Sequence, residues 1–145
     1  MSEFPAITEL VPHAVPMLAL EELVEWREGF AKARLTVRED NQFLRDGSLD
    51  TLMTFEYMAQ TVAACLGMAS RQGGGAVRVG MVIASREMKV ERPRVALGEE
   101  LIFEANIVRG SDYSSMFKTE TRDAAGELVA TASLTLVHSD SQPES

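Results

Sequence analysis

Glu56 and Gln60 stand one helical turn apart inside the most apolar stretch of the chain, Leu52 to Ala69. Residues four apart share a helix face, and the neighbours at 52, 53, 59 and 63 are all apolar. An apolar pocket disfavours the charged form of a carboxyl group, and a neutral carboxyl can serve as a general acid. Glu56 is therefore our first candidate catalytic residue.

Other interpretations of Glu56 stay open from spacing alone. It could be a capping glutamate, although an N-cap at Asp50 or Thr51 would put Met53 or Thr54, not Glu56, in the capping-box position. It could also be a surface carboxylate paired with a cation, which the apolar neighbours disfavour. The third interpretation is a carboxyl buried in an apolar pocket.

His13 is the second candidate, in the segment LVPHAVPML, where prolines restrict the backbone on both sides. A lone histidine in a loop is most often a solvated or hydrogen-bonded surface residue. A catalytic role needs a partner, and an imidazole beside a carboxylic acid would supply a base and an acid together.

Composition excludes several other chemistries. The 145 residues carry a net charge of -8, which argues against nucleic acid and anionic membranes as partners. The single cysteine, Cys65, lies in the apolar stretch and is predicted to be a buried structural thiol. With two histidines and one cysteine, we predict no metal site. The start, MSEFPAITEL, lacks the pattern of a signal peptide, and we expect a soluble, cytoplasmic protein.

Apolar periodicity predicts the elements that position these residues. A strand pair with a turn near Glu28–Gly29 covers 18–37, although its acidic first part could also be helical; a loop covers 38–51. Asp50 or Thr51 caps a helix from about Leu52 to Arg71, which the glycines at 73–75 end. Period-two segments follow at 76–93, 101–110, 113–123 and 127–139, the last two forming a hairpin around Asp123–Gly126.

This order predicts an α+β fold in which an antiparallel sheet of five to six strands curls around one long helix. We expect one domain over 1–138 and a polar tail over 139–145. One sheet around one helix leaves an apolar helix face and a strand edge exposed, so we expect pairing with a second chain.

Three ordered stretches resemble the hot-dog 3-hydroxyacyl-acyl-carrier-protein dehydratases, in particular the small dehydratase-like proteins of aryl-polyene and lipid pathways. They are PHAVPMLALEELVEW, FEYMAQTVAA and VGMVIASREMKVERPRVALGEELIF. The resemblance covers most of residues 8–108. It implies the hot-dog fold, a homodimer or a heterodimer with a paralogue, and a thioester substrate on acyl carrier protein or coenzyme A.

The resemblance also implies residue roles. His13 of one chain removes the C2 proton of the substrate, and Glu56 of the other chain protonates the leaving 3-hydroxyl. Backbone N–H groups near the helix start stabilise the enolate, although the family's glycine before the helix is replaced here by Asp50 and Thr51. Gln60 and Gly80 are placed at the substrate. No cofactor is implied, because the substrate brings its own phosphopantetheine.

The basic residues Arg86, Lys89, Arg92 and Arg94 have two interpretations. They could form a landing patch for an acidic carrier protein and the phosphopantetheine phosphate. They could instead lie on an exposed strand face with Glu87 and Glu91 as counter-charges. Two alternatives to a dehydratase also stay open, because one fold hosts many activities: an acyl thioesterase, in which Glu56 activates water, and a non-catalytic acyl-binding subunit.

Overall fold

The computed structural model describes residues 20–72, 82–110 and 114–137. The strands are β1 Glu22–Arg27, β2 Phe30–Thr36, β3 Leu44–Arg45, β4 Ser48–Asp50, β5 Val82–Val90, β6 Arg94–Ala96, β7 Glu100–Gly110, β8 Ser114–Asp123 and β9 Leu128–Val137. A 3₁₀ turn, Thr51–Met53, leads into the helix α1, Thr54–Gln72. Six strands form one antiparallel sheet in the order β1-β2-β7-β8-β9-β5, and β3-β4-β6 form a small second sheet.

The predicted α+β arrangement of one helix against a large antiparallel sheet is confirmed. Alternation in β9 buries Ala130, Ala132, Leu134 and Leu136 on the face toward α1, while residues 131, 133 and 135 are partly exposed. The predicted strand pair at 18–37 is also confirmed, with Gly29 at φ 81° in its turn. The acidic segment Glu22–Arg27 is a strand and not a helix.

The helix α1 packs its buried side on the sheet. Tyr57 and Phe103 of β7 meet edge to face with ring centroids 5.6 Å apart, and Thr119 Oγ1 of β8 lies 3.1 Å from Met58 Sδ. Of the two predicted caps, Asp50 is the one observed: it caps the 3₁₀ turn that leads into α1, and its carboxylate accepts a hydrogen bond from the N–H of Leu52 at 2.9 Å. The predicted stop at 73–75 lies outside the described residues.

The prediction of a plain loop over 38–51 is wrong. Asp46 and Gly47 both have positive φ, 54° and 78°, and connect β3 to β4. Positive φ at both central residues is the geometry of a type I′ hairpin turn, for which Asp-Gly is a strong signal. The predicted strand over 76–93 is also too long at its end, because β5 stops at Val90 and β6 follows separately.

The small sheet sets where α1 begins. β4 pairs with β6 through Ser48–Ala96, Leu49–Val95 and Asp50–Arg94. Leu49 and Val95 are fully buried and join the common core. In the described part of the chain no helix is long and apolar enough to cross a membrane.

Candidate functional site

Glu56 is the third residue of α1 and is partly exposed. Within the described residues its carboxylate has no hydrogen bond or ion pair. Helical spacing puts Leu52 and Ala59 on the same side of the helix as Glu56; Leu52 is 54% exposed and Ala59 is partly exposed. Of the three interpretations of Glu56, full burial in an apolar pocket is not what the single chain shows; the group is partly exposed on an apolar helix face that a ligand or a second chain can reach.

The amide groups at the helix start are largely used inside the protein. The N–H of Thr51 donates to the carbonyl of Pro93 at 3.0 Å, and that of Leu52 donates to the carboxylate of Asp50. The N–H of Thr54 donates to the carbonyls of Thr51 and Leu52. These three groups cannot serve as free donors to a substrate carbonyl without breaking existing bonds.

Gln60 is fully buried on α1. Its side-chain oxygen accepts a hydrogen bond from the N–H of Leu20 at 3.4 Å. The described contact is thus with the backbone just before β1. The assignment of Gln60 to the substrate stays a prediction, and the contact indicates that the amide also links the helix to the first strand.

Arg92 is held by two acidic groups, Glu99 in the turn before β7 and Asp123 at the end of β8. Its guanidinium donates to both carboxylate oxygens of Glu99, at 2.7 and 3.0 Å, and to Asp123 at 3.3 Å. The hydrogen bond and charge of Arg92 lower the pKa of Glu99, and the same hydrogen bond raises the pKa of Arg92. The predicted counter-charges, Glu87 and Glu91, are not the partners of this arginine.

Arg94 contacts the β3–β4 hairpin. Its Nε donates to the hydroxyl of Ser48, and Nη2 donates to the carbonyls of Ser48 and Arg45 at 3.2 and 3.3 Å. Internal contacts therefore account for both Arg92 and Arg94. Their assignment as substrate-binding residues stays a prediction.

Lys89 fits the interpretation of an exposed strand face better than Arg92 and Arg94 do. It lies on β5 with its side chain 77% exposed, and its Nζ is 3.7 Å from the carboxylate of Glu91, one of the two predicted counter-charges. His13, Gly80 and the side chain of Arg86 lie outside the described part of the chain, so their assignments stay predictions.

Cys65 is buried, as the sequence predicted, with 1% of its surface exposed. Burial raises the pKa of its thiol to about 11, partly offset by hydrogen bonding from Trp26 and Gly29. A thiol at this pKa is protonated at neutral pH and is a poor nucleophile. Cys65 is a core residue, while the indole N–H of Trp26 donates to its carbonyl at 3.1 Å.

A depression of about 410 Å³ lies across β5, β9 and β8, on the face of the large sheet that points away from α1. Thr131 and Ser133 of β9 line its centre, and charged residues of the two flanking strands line its sides, among them Lys89 of β5 and Lys118 of β8. The sheet separates it from the helix face that carries Glu56, because strand residues of opposite parity point to opposite sides. It is therefore a feature distinct from the candidate site.

Sequence reasoning missed the residues that hold the region in front of the helix. Glu99 and Asp123 are the partners of Arg92, and Ser48 is a partner of Arg94. The Asp46-Gly47 turn was the available signal for the hairpin. No local pattern marks the ionic partners, which come from other strands.

Comparison with known structures supports the fold. The dehydratase heterocomplex ApeI:P from Xenorhabdus doucetiae matches with a TM-score of 0.88 at 20% identity, over 95% of this chain and 93% of that chain. The E. coli PaaI protein from the phenylacetic acid degradation operon matches with a TM-score of 0.66 at 19% identity, over 81% and 82%. These similarities confirm the predicted hot-dog fold.

A third similar structure is a hypothetical thioesterase protein with coenzyme A from Streptococcus pneumoniae TIGR4. Its TM-score is 0.68 at 12% identity, over 84% of this chain and 88% of that chain. No curated protein sequence is significantly similar to this chain.

The family model described as ApeP-like, ApeP dehydratase, matches residues 5–145. The match spans nearly the whole chain, including the helix with Glu56 and the segment with His13. It agrees with the dehydratase resemblance found in the sequence. The chain belongs to the ApeP-like dehydratase family.

Proposed function

We propose that this protein dehydrates 3-hydroxyacyl thioesters to trans-2-enoyl thioesters in fatty-acid or polyene-type biosynthesis. The observation that carries the proposal is the Glu56 carboxyl group. Among the described residues it has no hydrogen-bond or ion-pair partner, and it lies on an apolar face in the first turn of α1, in a chain of a dehydratase family. An uncommitted carboxyl group on such a face is available to exchange a proton with a bound substrate.

In the proposed reaction His13 takes the proton from C2, and the electrons of that C–H bond form the C2–C3 double bond. The C3–O bond breaks, and Glu56 gives its proton to the leaving hydroxyl, which departs as water. The negative charge that develops on the thioester oxygen needs hydrogen-bond donors. The N–H groups of Thr51, Leu52 and Thr54 already have acceptors, so we expect these donors to come from elsewhere in the complete site.

We place the site between two chains, His13 of one facing Glu56 of the other. The partner is a second copy or a paralogue, and the solved heterocomplex of a similar dehydratase supports the paralogue. The substrate is bound to an acyl carrier protein or to coenzyme A, and the solved thioesterase-like structure with coenzyme A supports a thioester. The protein needs no cofactor of its own, and we place the reaction in the cytoplasm.

The reverse reaction gives a direct test. Purified protein, alone and mixed with a hot-dog paralogue, is incubated with a trans-2-enoyl thioester, and loss of the conjugated absorbance reports hydration. We expect Glu56→Gln and His13→Ala to lower the rate by roughly 100- to 10,000-fold, the usual contribution of a general acid or base. Glu87→Gln is the matched control, because Glu87 is an exposed glutamate of β5.

The outcomes separate the competing functions. Hydration that both site variants retain at the wild-type rate would show that the site is wrongly assigned. Release of free thiol without hydration would identify a thioesterase. If neither reaction occurs with or without the paralogue, the result favours the alternative of a non-catalytic acyl-binding subunit over both enzymes.

A further inference from the structure

The segment Arg92–Arg94 lies directly beneath the start of α1. The carbonyl of Pro93 accepts the N–H of Thr51 at 3.0 Å, and Arg94 pairs with Asp50 across the small sheet. Thr51 is fully buried and begins the 3₁₀ turn that runs into α1. The contacts with residues 92–94 therefore fix the position of the short stretch from Thr51 to Glu56.

Each arginine fixes one side of this segment. Arg92 binds Glu99, which immediately precedes β7, and Asp123, which ends β8, so both partners adjoin the large sheet. Glu99 also accepts the N–H of Ala96 at 2.7 Å, and Asp123 accepts the N–H groups of Ala125 and Glu127 at 3.0 and 2.9 Å. The carboxylates are thus held in place themselves, so the anchor on the large sheet is rigid.

Arg94 fixes the other side. Its planar guanidinium spans the hydroxyl and carbonyl of Ser48 and the carbonyl of Arg45. A lysine offers one compact ammonium group and cannot reproduce this fork. β4 ends at Asp50, and the 3₁₀ turn before α1 begins at the next residue, Thr51. By binding Ser48, Arg94 therefore holds the strand that leads directly into the helix.

We infer that the segment 92–94 is a brace that positions Glu56, with Arg94 as its main positioning residue. The inference rests on the proposed function only for the role of Glu56; the mechanical coupling to the helix start is independent of the reaction. It also gives the basic segment a use other than contact with a carrier protein, because the two guanidinium groups are already bound.

Hydrogen exchange tests the coupling without any activity. We expect Arg94→Lys and Arg94→Ala to lower the protection of the Thr51 and Leu52 amides by at least about tenfold, the effect of losing one charge-assisted hydrogen bond. Arg109→Lys is the matched control, an exposed arginine whose described contact is a 3.8 Å approach to Met116 Sδ. Unchanged protection at Thr51 and Leu52 in both Arg94 variants would refute the brace.

Enoyl hydration then separates positioning from carrier contact. A brace predicts that both Arg94 variants lower kcat by about tenfold with KM unchanged, since lysine lacks the fork. A landing patch predicts that Arg94→Ala raises KM in a salt-dependent way and Arg94→Lys remains near wild type; that result would overturn the inference. Absence of hydration by the wild-type protein would count against the proposed function. The hydrogen-exchange experiment would then decide by itself whether residues 92–94 position the helix start.

Discussion

The side-chain oxygen of Gln60 accepts a hydrogen bond from the backbone N–H of Leu20 at 3.4 Å. Gln60 is fully buried in α1, one turn after Glu56, and Leu20 precedes β1 with 7% of its surface exposed. A single amide therefore connects the helix that carries Glu56 with the point where the chain from the His13 segment enters the sheet. A buried donor is costly to leave unpaired.

Replacing Gln60 by Met should destabilise the fold. Met has a similar volume but cannot accept the N–H of Leu20, so the cost is mainly that of an unpaired buried group, about 1–3 kcal/mol in the free energy of unfolding. Urea denaturation measures it. Asn106→Leu is the control, since Asn106 is an exposed amide of β7, and it should change stability by less than about 0.5 kcal/mol. Equal stability of the two variants would contradict the proposed link.

The Arg92–Glu99 pair should make stability depend on pH. The pKa of Glu99 is lowered in the folded protein, first by its hydrogen bond with Arg92. The ionised Glu99 carboxylate therefore stabilises the fold fully above its unfolded-state pKa near 4.5. This stabilisation is lost as the pH falls through the lower pKa that Glu99 has in the folded protein. Because the pair is partly exposed, we expect about 1 kcal/mol.

The measurement compares wild type with Glu99→Gln by urea unfolding at pH 7 and at pH 3. Glu99→Gln should have a lower free energy of unfolding than wild type at pH 7, and this difference in free energy should be smaller at pH 3. Glu87→Gln serves as the control at both values. A gap that stays constant across this range would mean that the Glu99 carboxylate does not stabilise the fold through its charge.

Gly29 and Gly126 allow two effects of a methyl group to be separated. Both have positive φ, 81° and 87°, but only at Gly29 would an added Cβ meet a neighbour, 2.6 Å from Cγ2 of Ile107. Gly126→Ala should cost about 1 kcal/mol for its backbone alone, and Gly29→Ala about 1–3 kcal/mol more for the steric clash. Thermal unfolding of both variants measures the difference; equal losses would show that the β1–β2 turn relaxes freely away from Ile107.

Cys65 should be almost inert in the folded protein. With a pKa of about 11, its thiolate fraction at pH 8 is about 100-fold below that of an ordinary cysteine. Reaction with a chromogenic disulfide reagent should therefore be at least about 100-fold slower for native protein than for protein unfolded in guanidinium chloride. Comparable rates in the two states would show that the thiol is accessible and that the core around it opens.

Local features were predictable from the sequence where a physical rule acts over a few residues. Alternation located β7, β8 and β9, the turn residues placed the bends at Gly29 and Asp123–Gly126, and the apolar stretch located α1. Glu56 stood out by its type alone, as a carboxyl group among apolar neighbours. The Asp46-Gly47 hairpin was also within reach of local rules, because the preference of Asp-Gly for a type I′ turn depends on two residues alone.

Tertiary structure alone decided the partners of the charged and amide side chains. Gln60 meets Leu20 across 40 residues, Arg92 meets Asp123 across 31, and Arg94 meets Ser48 across 46. Composition and periodicity tell which face of a strand or helix is apolar, but they do not tell which strands become neighbours. The neighbours follow from how the whole core packs, so the use of Arg92 and Arg94 around the helix start becomes visible only when the chain is folded.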